Sequence, residues 1–234
     1  DYKYILIRTV WDYSEKSNLF LDKLDLAQRN GSTVIHPSNI INWNIDKSYL
    51  LELQQQNLDI VETKVVNGLE LSDVSSALNE FSKLVIKPKI GAGGKDTFIV
   101  DSLSTLNKKL LDQDVLIQPF IPEIQTLGEF SYMFFDGEYS HSVIKKPMKG
   151  EFRVQDDHGG SVYQFEPSSK QIESAKQYIS KLSFKTTYAR VDVVESNGKM
   201  LLMELELIEP ELFFRFSNNG MESFIKSIKK HIRV

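Results

Sequence analysis

Apolar positions recur along this chain with two periods, and the alternation between those periods predicts a mixed α/β protein. Period-two or continuous apolar runs predict strands at 4–7, 34–35, 85–87, 97–100, 115–118, 129–135, 138–145, 188–194 and 200–207. Asp136-Gly137 and Asn197-Gly198 stand between such runs, and each pair predicts a tight hairpin. Helical spacing appears at 18–29 (Phe20, Leu24, Ala27 inward, Gly31 as stop) and at 71–81. It recurs after Asp46 as N-cap (Leu50, Leu53) and after Ser102 (Leu103, Leu106, Leu110). A Ser168/Gln171 capping box predicts a helix with Ile172, Ala175, Ile179 and Leu182 inward. A last helix would turn Met221, Phe224, Ile225 and Ile228 inward.

Composition narrows the class without naming it. The 234 residues are 41% hydrophobic and 26% charged, ordinary for a globular protein with one or two domains. A net charge of -4 offers no general attraction to nucleic acid or anionic membrane. The absence of cysteine excludes disulfides, thiolate metal sites and a cysteine nucleophile. The histidines, at 36, 141, 158 and 231, show no metal-ligand spacing. No run of about 18 apolar residues occurs and no signal peptide is read, so the cytoplasm is the default expectation. The chain enters directly on a strand, which reads as a fragment lacking its natural start.

Three stretches carry candidate chemistry. In the first, a strand ending at Lys87-Pro88 runs into Gly91-Ala92-Gly93-Gly94. Glycines there could free several N–H groups to face one concavity, an anion-binding nest with Lys87 as a fixed positive charge beside it; the plainer reading is a solvated lysine before a flexible hairpin loop. Val85 and Lys87 share one strand face. The spacing is neither that of a Walker loop nor Gly-x-Gly-x-x-Gly. The second is Lys145, Lys146, Lys149 and Arg153 ahead of Gly159-Gly160, either a solvated basic face or an arginine loop that clamps phosphate. The third is the hairpin carrying Asp192, Glu204 and Glu206. Strict alternation puts Leu202, Glu204 and Glu206 on one face. Carboxylates on an apolar strand require a neutralising cation, and oxygen-only ligands suit Mg²⁺; the plainer reading pairs them with lysines. Lys47 lies in the first turn of its predicted helix, where a cation opposes the dipole, which points either to an anionic partner or to a solvated lysine.

In this order the pieces resemble the ATP-grasp superfamily, in the branch of the O-ureido-serine cyclo-ligase and glutathione synthetase-like proteins. The residues that carry the likeness are Arg8-Thr9-Val10-Trp11-Asp12-Tyr13, Trp43-Asn44-Ile45-Asp46-Lys47, Phe152-Arg153-Val154-Gln155 with Gly159-Gly160, and the run from Met203 to Pro210. The resemblance implies an ATP-grasp fold of the α/β class, built of two α+β lobes that hold ATP between them. It divides the chain into a remnant of an amino-terminal α/β substrate domain at 1–45, a small lobe with the glycine loop at 46–114 and a large lobe with the metal site at 115–234. It implies that Lys47 and Lys87 contact ATP phosphates under the Gly91, Ala92, Gly93 and Gly94 loop. Gln118, Phe120 and Ile121 would frame adenine, Glu129 the ribose, and Arg153 the transferred phosphoryl group. Asp192, Glu204 and Glu206 would hold Mg²⁺, or Mn²⁺. Glu206 departs from the common Glu-x-Asn ending, and Ser131 stands where several relatives carry arginine, so substrate recognition does not carry over. Arg8, Trp11, Asp12, Lys146 and His158 are candidates to face substrate.

The implied activity is an ATP-dependent carboxylate–amine ligase that forms an amide, or a cyclised amide, through an acylphosphate. The partners would be small amino-acid-like acids and amines, with no nucleic acid or membrane. The alternatives are a nucleotide-binding module without ligase activity, or a kinase of the same fold.

Overall fold

The computed structural model describes residues 2–10 and 12–232. In chain order it contains β1 (Tyr4–Leu6), α1 (Ser17–Arg29), β2 (Thr33–Ile35), α2 (Ser38–Ile45), α3 (Tyr49–Gln55), β3 (Lys64–Val66), α4 (Leu71–Glu80), β4 (Leu84–Pro88), β5 (Phe98–Val100) and β6 (Val115–Pro119). There follow α5 (Glu123–Thr126), β7 (Glu129–Phe135), β8 (Glu138–Lys146), β9 (Ser161–Phe165), α6 (Ser169–Ser180), β10 (Tyr188–Ser196), β11 (Lys199–Glu206) and α7 (Gly220–Lys229). None of these helices is long and apolar enough to cross a membrane.

Three sheets organise the chain: parallel β1-β2, a four-stranded sheet β3-β6-β4-β5, and a five-stranded sheet β11-β10-β7-β8-β9. The expected boundary at 114/115 falls inside the four-stranded sheet, because β6 pairs with both β3 and β4. Both predicted hairpins form, as β7-β8 and β10-β11.

Alternation along the strands explains what each sheet face does. From β7 and β10, Phe130, Tyr132, Phe134, Ala189, Val191 and Val193 enter one core with α3 and α6. On the opposite face Met133, Phe135 and Tyr188 pack with Phe224 of α7. That helix covers only one end. The other end of the same face carries Glu129, Ser131, Arg190 and Asp192, three of which line a cavity and one of which, Arg190, lies over the Phe213 ring. In the four-stranded sheet Leu84 and Ile86 are fully buried against α4, which leaves Val85 and Lys87 on the other side.

Some predicted elements fall differently. The stretch after Ser102 forms two short 3₁₀ turns, Leu103–Thr105 and Lys108–Leu110, because Leu106 and Asn107 are extended between them. Asp46 does not cap a helix start. It follows α2, and its Oδ1 accepts from the Ser48 N–H at 2.8 Å. In α7, Phe224 is buried and Ile228 packs with it, but Met221 and Ile225 are exposed; Gly220 and Ser227 complete the inner stripe. A side chain at Gly220 would collide with the His141 ring at 2.8 Å.

Candidate active site

Between the uncovered end of the five-stranded sheet and the Lys87 face of the four-stranded sheet lies a cavity of ≈ 500 Å³. That is the size of a small-ligand site. Lys47, Lys87, Gly91, Ala92, Gly93, Gly94, Gln118, Phe120, Ile121, Glu129, Arg153, Asp192, Glu204 and Glu206 all line it. Of the residues proposed to face substrate, Arg8, Asp12, Lys146 and His158 are not in its wall, and Trp11 lies outside the described residues. Asp12 instead pairs with Lys16 at 2.6 Å on the surface. Lys146 is exposed, and its neighbour Lys145 points inward, the one-residue step that reverses a strand side chain.

One wall is cationic. The Lys47 N–H donates to Lys89 O at 2.9 Å, which ties its segment to the end of β4. Its Nζ donates to Gly91 O at 2.5 Å and pairs with Glu204 at 3.1 Å. The anionic partner expected for Lys47 is therefore on the opposite wall. Lys87 lies beside Lys47, and burial pulls its ammonium below the usual lysine range. Above both, the glycine loop turns through Gly93 and Gly94, with φ of +62° and +69°. Gly94 approaches Gln155 of the arginine loop so closely that a Cβ would lie 3.0 Å from its Oε1. The arginine loop is itself tightly folded: a Cβ at Gly160 would stand 2.0 Å from Val154 O. Arg153 is held by Glu151, Nη2 to Oε2 at 2.7 Å.

The opposite wall is a paired charge network. Asp192 accepts from Arg190 Nε at 3.0 Å and Nη2 at 2.8 Å, and from Ser131 Oγ at 2.5 Å. Lys145 lies 3.4 Å from Asp192 and pairs with Glu129. Burial alone would raise the Asp192 carboxyl; Arg190 and Lys145 outweigh it and hold it at about 2. Arg190 also pairs with Glu206. Burial lifts Glu206 to about 7 against the pull of Arg190, with Glu204 and Asp192 adding to the rise.

A bulge sets this wall. Asp192 faces Glu204 and Val193 faces Leu202, so Met203 is left over. The extra residue rephases β11. Leu202, expected beside the glutamates, joins Leu205 and Leu207 in the core, while Met203, Glu204 and Glu206 line the cavity. The outer edge of β11 is closed by side chains. Asn44 Nδ2 donates to Leu205 O at 2.7 Å, its Oδ1 accepts from the Leu207 N–H at 2.8 Å, and Tyr49 Oη accepts from the Leu205 N–H at 2.8 Å.

Among the described residues no three metal-binding side chains converge on one point. The donor chemistry nevertheless fits Mg²⁺. Asp192, Glu204 and Glu206 offer only oxygen, and the Glu204 and Glu206 side chains each keep 30% exposure on the cavity side.

Arg190, which the sequence does not single out, lines the cavity, as do Lys145, Tyr13 and Glu209, which fall within its basic patch and family-like runs without a site role of their own. Arg190 had a signal, since it stands two residues before Asp192 on the same strand face. Tyr13 had only its place in a loop after a strand. Glu209 lies three residues past Glu206, and burial lifts its carboxyl to about 7 against the Val10 N–H and Arg8. Arg8 is not in the wall; its guanidinium lies over the Tyr188 and Phe224 rings and its Nη2 donates to Pro210 O at 2.9 Å.

Known proteins share this fold. The family model of the prokaryotic glutathione synthetase ATP-grasp domain matches residues 50–215. The cycloserine biosynthesis protein DcsG of Streptomyces lavendulae is 25% identical over 98% of this chain and 83% of its own length. Glutathione synthetase of Prochlorococcus marinus (strain MIT 9313) is 26% identical over 80% of this chain and 60% of its own. The crystal structure of D-cycloserine synthetase DcsG superposes with a TM-score of 0.86 at 24% identity, covering 99% of this chain and 84% of that one. D-alanine–D-alanine ligase from Bacillus anthracis, complexed with ATP, gives 0.69 at 16% identity over 97% and 78%. The chain belongs to the family of the prokaryotic glutathione synthetase ATP-grasp domain, and is an ATP-dependent ligase of the ATP-grasp type.

Proposed function

We propose that this cavity joins a small carboxylic acid to an amine at the expense of ATP, through an acylphosphate. The observation that carries the reading is the facing of two unlike walls across one space. Lys47, Lys87 and the glycine loop gather positive charge and N–H groups on one side, and Glu204, Glu206 and Asp192 lie on the other. No nucleophilic side chain is needed. A substrate carboxylate oxygen attacks the γ-phosphorus, and the bond to the ADP oxygen breaks. The amine nitrogen then attacks the acyl carbon and loses a proton, and phosphate leaves.

Lys47 and Lys87 hold the phosphates, and Arg153 neutralises the transferred group, so catalysis is positioning and charge compensation. Gln118, Phe120 and Ile121 frame adenine, and Glu129, steadied by Lys145, meets the ribose. Asp192, Glu204 and Glu206 would hold Mg²⁺, which supplies charge neutralisation to the phosphates when bound. The meeting of Gly94 with Gln155 closes the roof and excludes water that would hydrolyse the acylphosphate. The partners are small amino-acid-like molecules, and the supply of ATP places the reaction in the cytoplasm.

The test is ADP release with Mg-ATP across a panel of amino acids and small acids, with and without hydroxylamine. Hydroxamate formed with one acid supports the acylphosphate and names the acid. ADP release that no acid stimulates, with no hydroxamate, would overturn it.

A further inference from the structure

Arg153 lines the cavity from the loop between β8 and β9, not from a strand or a helix. An arginine side chain has much rotamer freedom, so on a loop its N–H groups aim at a phosphate only if something fixes the plane of the guanidinium. Glu151, which is not in the cavity wall, does this. Its Oε1 accepts from Arg153 Nε at 3.3 Å and its Oε2 from Arg153 Nη2 at 2.7 Å, a two-pronged pair along one edge of the guanidinium. The same Oε1 accepts from the Phe152 and Arg153 N–H groups at 2.8 and 3.2 Å, so the carboxylate also fixes the backbone that carries the arginine. Glu151 is anchored in turn: its N–H donates to Met148 O at 2.9 Å, and its O accepts from Gln125 Nε2 of α5 at 3.3 Å. Arg153 Nη1 has no partner among the described residues and is not buried, so a ligand can reach it. The hydrogen bond from Arg153, opposed by burial and helped by the two N–H groups, holds the Glu151 carboxyl at about 2, and it stays charged.

We propose that Glu151 is a positioning residue for phosphoryl transfer: it locks one edge of the Arg153 guanidinium and leaves Nη1 free for the γ-phosphate. The assignment rests on the ligase reading, which puts Arg153 at that phosphate, and adds the residue that aims it. A carboxylate beside such an arginine acts in two opposed ways. It weakens the positive field, and it fixes the direction of the N–H groups. The Arg153 and Glu151 side chains keep 28% and 20% exposure, and solvent screens the field of a pair so placed. Direction therefore outweighs field, and loss of the lock leaves the charge in place but unaimed.

The test is calorimetric titration of two magnesium-bound nucleotides, ADP and the non-hydrolysable imido analogue of ATP, into the unaltered protein, Glu151→Gln, Arg153→Met and the double variant. A glutamine has the shape of Glu151 but only one acceptor, so it cannot bridge the guanidinium edge. The analogue should bind about fivefold weaker to Glu151→Gln, with ADP affinity and thermal midpoint unchanged, because ADP lacks the phosphate that Arg153 meets. In the Arg153→Met background Glu151→Gln should cost nothing further, since Glu151 acts only through the arginine. Equal weakening of both nucleotides would make Glu151 a general support of the loop and overturn the assignment. Unchanged or tighter binding of the analogue would overturn it as well, since Glu151 would then only offset charge. So would an undiminished loss in the Arg153→Met background. Arg153→Met that binds the analogue as the unaltered protein does would take Arg153 away from the phosphate, and the assignment with it. No readout here needs turnover, so the hydroxamate assay judges the ligase reading separately.

Discussion

The two walls of the cavity solve opposite problems. On the four-stranded side, Lys87 and the glycine loop present charge and N–H groups that have few protein partners. Lys87 even loses proton affinity to burial. On the five-stranded side, the charges are satisfied before any ligand arrives: Arg190 holds Asp192 and Glu206, and Lys145 holds Glu129 and Asp192. The first wall is built to receive an anion and is incomplete without one. The second is a prefolded ion network that also carries the fold, since its residues extend from the strands that pack against α3, α6 and α7. Charge removed from the first wall should therefore cost function, and charge removed from the second should cost stability as well.

The largest break in that comparison is Arg190→Met. It leaves Asp192 and Glu206 without their shared cation, and removing one member of a buried ion network costs about 3 to 5 kcal/mol. Urea unfolding should register that loss, and ADP release should vanish with it; an unchanged midpoint would mean that the network contributes nothing to the fold. Lys87→Met is the counterpart. Substrate-dependent ADP release should fall on the order of 100-fold, equivalent to about 2.7 kcal/mol of transition-state stabilisation. The unfolding midpoint should hold or rise, since a partly desolvated ammonium is removed. A destabilised Lys87→Met would erase the distinction between the walls.

How much of this was legible in the sequence follows the same division. The glycine loop, Lys87 and both hairpins could be read because local chemistry dictates them: turn residues at fixed offsets, and strand alternation that puts Val85 with Lys87. Lys47 could be read as needing an anion, and Glu204 answers it. Arg190 and Lys145 were harder. Arg190 shares a strand face with Asp192 but reads alone as an ordinary strand residue, and only the pairing of β7 with β8 and β10 brings Lys145 beside Asp192. Alternation in β11 was misjudged at Leu202, because a bulge at Met203 has no local signature beyond an apolar residue. The helix after Ser102 failed because two extended residues, Leu106 and Asn107, split an otherwise helical spacing. Local propensity and pattern reach the elements and the loops, whereas the ion network is a property of register and is set only when the sheet assembles.

The smallest expected effect is one of pH, and it asks what supports the paired wall from beneath. His36 sits at the end of β2, where it joins the five-stranded sheet. Its Nδ1 donates to Leu207 O at 2.8 Å and its Nε2 accepts from the Thr187 N–H at 2.8 Å, so the neutral ring is fully used. Burial pulls its pKa down to about 4, with the Leu207 carbonyl opposing and His231 adding to the fall. The unfolded chain binds this proton near pH 6.5 and the folded chain only near pH 4, so the contribution of His36 to stability is whole above pH 6.5 and shrinks as pH falls between those values. Glu206 and Glu209, both lifted to about 7, act in the opposite direction over the same range, which hides the histidine in a single pH profile. The comparison of the unaltered protein with His36→Gln cancels them. The stability gap between the two should narrow by about 2 kcal/mol from pH 7.5 to pH 5 in urea unfolding. A gap that stays constant with pH would mean that the ring carries a proton in the fold, and that the seam under the carboxylate wall is charged.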